Sequence, residues 1–484
     1  LFYKKIEGRG IMDIELKNIA LIEEGNLELK GITLIADEND SGKSTIGKTL
    51  FTTLNTLNNF EKNFLTNLKQ RIERIYFALK EILDNDRMEL MDQSILKKIV
   101  EFSKKMSSFN QEISKTIKNS VKIEISEKNF INLEVLFSIL IKDAEILKND
   151  LIKGYFTESK DLDFMSDQFL IYRIVTRLED LLNLKLVLNY EKIKLDLFQR
   201  AFNREFENNI TNVFLEKKES YIKLDEKGEI AEINIEDNKI SKIDFMSGKI
   251  KRENNTIYIE SPIILDYIEE ISRRESFNFQ NTNDKNYRVK SLKLALQNEK
   301  EIDDVDTVLG KEELYINLLE RIHKIILGEF EYSKRNKDFI YRKEGHTFDK
   351  KNVATGIKSF GIIEILLKNK QLDENTILII DEPEVHLHPK WQIKYAEILI
   401  LISKELGVKI LLNSHSPYLI RAMEVYRKTY NYEDNIKFYT LTDCTEGKSK
   451  KTVDVTNNLN QIFDKLIEPY EILREVDERY SDDE

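Results

Sequence analysis

Three short stretches of this 484-residue chain hold residues whose types and order suit work on a nucleoside triphosphate. "DENDSGKS", residues 37–44, closes as a phosphate-binding loop does, on Gly42, Lys43 and Ser44. In the pattern G-x-x-x-x-G-K-[ST], backbone N–H groups cradle phosphates, the lysine reaches the terminal phosphates and the hydroxyl reaches Mg²⁺. Asp37 stands where the pattern has its first glycine. "TILIIDEPE", residues 376–384, runs through four apolar residues into two carboxylates, Asp381 and Glu382. A buried parallel strand can carry an acid at its carboxyl end, where open α/β sheets bind ligands. There Asp381 is expected to hold Mg²⁺ together with the Ser44 hydroxyl, and Glu382 to polarise an attacking water. "VKILLNSHSP" follows, and puts His415 just past a strand end, where it can sense a γ-phosphate.

The elements around these residues are legible from periodicity. GK[ST] alone arises by chance in on the order of one chain in five of this length, so its context matters. "IELKNI" and "LELKG" alternate, the apolar "ITLIA" leads into the loop, and "STIGKTLFTTLNTL" has helical spacing. Strand, loop and helix in that order are what the motif requires. From about residue 54 to about 204, long stretches carry apolar residues at i, i+3, i+4 and i+7 with nearly balanced charge, which predicts a helical insertion. "SYIKLD", "EIAEINIED", "KISKIDF" and "TIYIE", between residues 219 and 260, read as a meander. Residues 273–310 are polar and weakly patterned, with mobility expected. Beyond 311, helices alternate with apolar strands, as in a parallel α/β sheet. The final stretch "EPYEILREVDERYSDDE" is acidic and expected to fray. The expected organisation is an ATPase domain over 12–53 and 205–470, the insertion over 54–204 and an acidic tail over 471–484. Met12 is the expected start, with residues 1–11 an upstream extension.

Composition narrows the classes. The formal charge of -11 argues against non-specific attraction to nucleic acid over the whole surface. One cysteine, Cys444, excludes an internal disulfide framework. Five histidines without a Cys pair disfavour structural zinc. His386 and His388 in "EPEVHLHP" have the look of a zinc pair but lack further ligands, and are read as part of the connection after the acidic pair. The opening "LFYKKIEGRGIM" has no signal-peptide core, and no uncharged apolar run approaches the roughly 18–20 residues of a membrane span. A soluble, cytoplasmic protein without a membrane partner is expected.

"IELKNIALIEEGNLELKGITLIADENDSGKSTIGKTL", "NVATGIKSFGIIEILL", "ILIIDEPEVHLHP" and "ILLNSHSPYLI" together resemble the ABC-type ATPases of the RecF, SMC and OLD group. Within it they are most similar to stand-alone bacterial ATPases of the Septu anti-phage type. The resemblance covers residues 12–53 and 311–425. It implies an α/β fold, an ABC-type P-loop NTPase head with a mixed or parallel sheet and an antiparallel β-subdomain, carrying a large helical insertion. It implies that Asp37, Glu38, Asn39, Asp40, Ser41, Gly42, Lys43, Ser44 and Thr45 form the nucleotide-binding loop, that Ser44 and Asp381 bind the metal, and that Glu382 and His415 are catalytic. ATP and Mg²⁺ are the implied cofactors. "ATGIKSF" would be the signature that closes over a nucleotide held by another subunit. Ala354 takes the place of the family's serine, with Thr355 beside it and Gly356 following, and Lys358 can supply a compensating charge. "ESPIILD" lies where the family's glutamine-bearing loop is expected but has no glutamine.

The implied partners are a second copy (a homodimer or higher even oligomer through an ATP sandwich) and a separately encoded effector such as a nuclease. DNA contact through a local patch stays open. Asp tolerates left-handed backbone angles better than most residues, so the loop path is expected to survive Asp37. Its charge is expected to weaken binding, by on the order of 2 kcal/mol at some 6–8 Å from a phosphate. Because Lys43, Ser44, Asp381, Glu382 and His415 all remain, a working or weakened ATPase is favoured. The alternatives are a weakly or non-hydrolysing scaffold and a RecF- or SMC-like ATPase that clamps DNA. About 70 residues follow His415, short of the ~100 of an appended nuclease domain, so no nuclease of the OLD type is expected in this chain.

Overall fold

The structure is a computed structural model and describes residues 10–39, 41–84, 93–119, 127–155, 162–184, 190–215, 219–245, 255–276, 287–300, 305–333, 335 and 338–481. Residues 1–9, most of the expected upstream extension, lie outside this set, as do 482–484 of the acidic tail. The chain divides into two compact units, residues 1–58 with 198–484, and residues 59–197.

In chain order the elements begin with β1 (Met12–Ile19), β2 (Ile22–Leu29), β3 (Ile32–Ala36) and α1 (Lys43–Leu83). Next come α2 (Gln93–Asn119), α3 (Glu127–Tyr155), α4 (Leu162–Leu182) and α5 (Tyr190–Phe206). Then β4 (Glu219–Glu226), β5 (Glu229–Glu236), β6 (Lys239–Phe245) and β7 (Asn255–Ile259) precede α6 (Ile264–Ser276), α7 (Tyr287–Gln297) and α8 (Val305–Ile326). A small antiparallel sheet, β8 (Glu329–Ser333), β9 (Asp338–Lys343) and β10 (His346–Asp349), leads into α9 (Thr355–Lys368). The chain continues through β11 (Thr376–Asp381), α10 (Pro389–Leu401), β12 (Lys409–Ser414), α11 (Pro417–Thr429), β13 (Ile436–Cys444), β14 (Ser449–Asp454) and α12 (Asn460–Ser481).

Eleven strands form one mixed sheet in the order β6-β5-β4-β1-β2-β14-β13-β3-β12-β11-β7. From β13 to β7 every neighbour is parallel. From β6 to β2 every neighbour is antiparallel. β14 joins the blocks, parallel to β2 and antiparallel to β13. Sequence character explains the division. β3, β11 and β12 are buried at every position, as near-continuous apolar runs must be when both faces are covered. β1 and β4 instead alternate buried and more exposed positions. This is the α/β head with a mixed sheet and antiparallel part that the sequence implies.

One expectation needs correction. "TIYIE" is not the last strand of the meander; it is β7, parallel to β11 at the opposite end of the sheet. Its residues Thr256–Ile259 are all buried, which suits a strand covered on both faces and not an alternating ribbon. Where described, the weakly patterned stretch 273–310 holds the end of α6, all of α7 and the start of α8. In α7 only Leu292, Ala295 and Leu296 are buried, too few apolar anchors for periodicity to register. The acidic end is likewise helical, within α12, as far as Ser481.

The second unit is helical and has its own core, including Leu65 and Ile72 of α1, Met106 and Ile113 of α2, Ala144 of α3, and Ile174 of α4. Lys98–Asp150 at 2.7 Å and Lys105–Asp143 at 2.9 Å tie α2 to α3 on its surface. Among the described residues no helix is long and apolar enough to cross a membrane.

Candidate functional site

Strand register assembles the three stretches. Asp381 of β11 pairs with Asn413 of β12, and Ser414 pairs with Ala36 at the end of β3. The acid, the start of the phosphate loop and the approach to His415 therefore share the carboxyl ends of adjacent parallel strands. The Asn413 amide fastens the group, donating to Asp381 Oδ1 at 3.0 Å and to the Lys43 carbonyl at 3.2 Å. Tyr258 of β7 donates to Asp381 Oδ2 at 3.0 Å. Burial, with Asp381 beside it, raises the Tyr258 phenol well above its usual value, so it keeps its proton.

In the loop, Gly42 alone among the described residues has a positive φ, 94°. A Cβ there would also lie 3.0 Å from Ile22 Cδ1, so glycine is required twice over. Lys43 is 3% exposed. Its ammonium donates to the Asp37 carbonyl at 2.9 Å, to the Glu38 carbonyl and, at 3.4 Å, to Ser41 Oγ. Burial lowers the Lys43 pKa, and Glu382, Asp37, Asp381 and Glu384 oppose that shift. Ser44 and Thr45 lie half-buried in the first turn of α1, while Glu38 and Asn39 are exposed. Asp40 lies outside the described residues.

Asp37 departs from expectation. It has no left-handed backbone angle, and its carboxylate is engaged by β13 and α12 as well as by the next residue of the loop. The residue is 4% exposed, and Oδ2 accepts from the Leu441 N–H at 2.8 Å while Oδ1 accepts from the Glu38 N–H at 2.8 Å. Lys465 of α12 lies 3.3 Å from Oδ2. A carboxylate with two backbone donors and a cation is compensated locally, so strong repulsion of a phosphate no longer follows.

Glu382 sits in the left-handed region at φ 45°, ψ 55°, at the head of the short 3-10 turn Pro383–His386. Such backbone strain costs about 1–3 kcal/mol and gathers at functional sites. Behind it Glu384 is buried and accepts from Ser414 Oγ at 2.7 Å and from the His415 N–H at 2.6 Å. His415 Nδ1 approaches Glu384 Oε1 to 3.3 Å and Glu382 Oε1 to 3.6 Å, without hydrogen-bond geometry to either. Burial raises the Glu384 carboxyl above its ordinary value, against the pull of Ser414 and His415.

The expected signature lies at the start of α9. Ala354 is its N-cap, exposed and without a side-chain cap bond, and Thr355 and Gly356 follow half-buried. Lys358 is corrected: it is 3% exposed and its ammonium pairs with Asp266 of α6 at 2.7 Å. A buried, paired lysine is not a charge presented to another subunit. Gly356 has a reason within its own chain, since a Cβ there would stand 3.1 Å from the His386 carbonyl.

One protein family, described as "AAA domain, putative AbiEii toxin, Type IV TA system", matches residues 38–421. The chain belongs to this AAA-domain family. No curated protein matches it. Among solved structures, an SMC head domain from Thermotoga maritima is similar over 92% of this chain and 98% of its own, at 9% identity and a TM-score of 0.35. An SmcHead bound to the C-winged helix domain of ScpA gives 93% and 99%, at 10% identity and 0.38. A Pyrococcus furiosus Smc head domain with an extended coiled coil gives 96% and 99%, at 10% identity and 0.31.

An AAA domain is an ATPase-type, nucleotide-binding domain that typically works with Mg²⁺, and the donors of this one suit both groups. Ser44 and Asp381 offer hard oxygens of the kind Mg²⁺ takes. Each Asp381 oxygen accepts one hydrogen bond from the side chains named above, which leaves lone pairs for a cation. Three buried polar atoms at the same strand ends, Asn413 Oδ1, Glu384 Oε2 and His415 Nδ1, have no hydrogen-bond partner within the chain. Orphans of this kind call for a ligand or water.

In this AAA domain, sequence reasoning overlooked Tyr258, Asn413, Glu384 and Lys465. Glu384 had a signal, the third acid of "DEPE"; the others are ordinary in their local sequence. His388, half of the apparent zinc pair, caps α10 by accepting from the Lys390 N–H at 3.3 Å. A separate group with metal-ligand spacing, His323, Glu329 and Glu364, already holds the Lys368 ammonium, 2.8 Å from Glu364 and 3.0 Å from Glu329.

Proposed function

We propose that this AAA-domain protein binds and hydrolyses ATP as a switch, dimerises head to tail around the nucleotide, and controls a separately encoded effector in defence against phage. The observation that carries the nucleotide part is the Asn413 amide, which joins the Lys43 carbonyl to Asp381 across 370 and 32 residues of sequence. That bond fits a loop and an acid meant to meet one ligand. In this reading Lys43 leaves the loop carbonyls for the phosphates, and the N–H groups around Gly42 cradle them. Mg²⁺ held by Ser44 and Asp381 would neutralise charge on the phosphate oxygens. Glu382 takes a proton from the attacking water as general base. His415, fixed through its N–H by Glu384, turns its ring toward the terminal phosphate.

The wider role rests on other support. The exposed N-cap Ala354, with the half-buried Thr355 beside it, suits a surface that meets a nucleotide on a second copy. The family description names a putative toxin and a Type IV TA system, and the resemblance to Septu-type ATPases points to a partner-dependent switch. The first test is ATP turnover by the purified protein beside Lys43→Ala and Glu382→Gln, with loss expected in both. Absence of turnover in the unaltered protein at saturating ATP and Mg²⁺ would remove the enzymatic reading. The second test is phage challenge of cells with and without the neighbouring genes. Nucleic-acid cleavage by the purified protein alone, abolished by Glu382→Gln, would overturn the separate-effector reading.

A further inference from the structure

The Asp37 carboxylate is at once the departure from the phosphate-loop pattern and one of the most fully partnered charges near the site. Its cation comes from outside the motifs. Lys465 lies on α12, 428 residues further along, on a helix seated in the main core by Ile462 and by Phe463 and Leu466. The Lys465 ammonium reaches Asp37 Oδ2 at 3.3 Å, Thr440 Oγ1 at 3.3 Å and the Leu441 carbonyl. Leu441 in turn gives its N–H to the same carboxylate at 2.8 Å. Asp37, the middle of β13 and α12 thus form a closed set of hydrogen bonds. The same Asp37 offers its main-chain carbonyl to Lys43 at 2.9 Å. Anything that moves the carboxylate moves the acceptor on which the loop lysine rests.

We propose that Lys465 is a positioning residue of the nucleotide site. It holds Asp37, and so the head of the phosphate loop, in a binding-competent path, and it makes α12 part of the site. The loop's missing glycine is then not a defect. The tight path that a first glycine would supply by backbone freedom is supplied here by a side chain anchored to β13 and α12. The lysine acts through charge as well as reach: without it, a carboxylate with 5% of its side chain exposed loses its cation, and burial of an unpaired charge is strongly unfavourable. The loop head then moves toward solvent, carrying the Lys43 acceptor with it.

This inference rests on the nucleotide-binding reading above, and its test separates the two. Binding of a fluorescent ATP analogue is measured for the unaltered protein, Lys43→Ala, Lys465→Met, Lys465→Arg and the pair Asp37→Asn/Lys465→Met, each checked by circular dichroism and thermal melting. Lys465→Met should weaken binding by roughly tenfold. Lys465→Arg should restore most of it. The double variant should recover part of the affinity, because the amide oxygen introduced at position 37 would still accept the Leu441 N–H and no unpaired charge remains, while the bond from the Glu38 N–H is given up. A purely structural loss would lower the melting temperature in Lys465→Met without this rescue pattern. If Lys465→Met does not fold, Lys465→Gln carries the same comparison, since it keeps a donor for the Leu441 carbonyl. Affinity equal to the unaltered protein in a folded Lys465→Met or Lys465→Gln overturns the inference and leaves the nucleotide reading standing. A double variant as weak as Lys465→Met also overturns it. If the unaltered protein binds no better than Lys43→Ala, both fall.

Discussion

Tyr258 gives its hydroxyl to Asp381 at 3.0 Å across the parallel pair β7 and β11, and Arg288 lies over the Tyr258 ring at 4.8 Å. The acid expected to hold the metal is thus oriented from one side by Tyr258 and from the other by Asn413. Orientation of a metal ligand by its neighbours typically decides affinity as much as the ligand itself. Tyr258→Phe should raise the Mg²⁺ concentration needed for half-maximal ATP turnover severalfold, and cost about 1 kcal/mol of stability. A Mg²⁺ titration of activity and a urea melt check the two parts. An unchanged Mg²⁺ dependence would mean that Asn413 suffices.

Glu382→Gln keeps the shape of the side chain but removes the base. Turnover should fall by about 10²–10⁴-fold, while nucleotide binding persists. The ATP-bound dimer should then accumulate, visible as an ATP-dependent doubling of mass by light scattering. A variant that stays the same size with and without ATP speaks against the sandwich.

Glu384 makes a pH prediction. Burial places its folded-state pKa above the ordinary glutamate value. Its stabilising contribution is therefore fully present below that ordinary value and is lost as pH rises through the raised one. Glu384→Gln can still accept from Ser414 and His415 and has no charge to bury. Its melting temperature should fall less steeply than that of the unaltered protein as pH rises above the ordinary glutamate value of 4.5. Parallel melting curves for the two proteins would show that Glu384 is not the titrating group.

Asp37→Gly restores the standard loop pattern and should nonetheless harm the protein. The buried Leu441 N–H loses its acceptor, at about 1–3 kcal/mol, and Lys465 loses its partner. A lower urea midpoint and an ATP affinity no higher than that of the unaltered protein are expected, by denaturation and calorimetry. Tenfold tighter binding would instead revive charge repulsion by Asp37.

The parallel half of the sheet was readable because a strand buried on both faces has nowhere to put a polar side chain. "ITLIA" and "TILIID" announce themselves for that reason, and the loop, the acids and His415 follow from their ends. What the sequence hid were partnerships set by topology. Asp37 meets Leu441 across 404 residues, and no local pattern encodes that distance. Lys358 looked available because α9 begins at the surface, yet one turn in, its side chain turns toward Asp266. β7 was misplaced because a short run with Ile257, Tyr258 and Ile259 after a meander looks like its continuation, and the pairing with β11 and the burial of both faces appear only in the fold.

The central position of β3 sets a timetable for synthesis. Ile32 pairs with Ile410 on one side and Ile436 on the other, so the strand that carries the phosphate loop has neither neighbour until most of the chain has left the ribosome. At roughly 5–20 residues per second that interval lasts on the order of tens of seconds. Residues 59–197 have a core of their own to collapse on meanwhile, but the loop has no acid, no Asn413 and no α12 to meet. In the reading proposed above, a nascent chain without these partners would neither hold ATP nor pair with a finished copy. The proposed switch would then be inert until synthesis is nearly complete, and a product truncated before α12 would lack Lys465, the partner of Asp37.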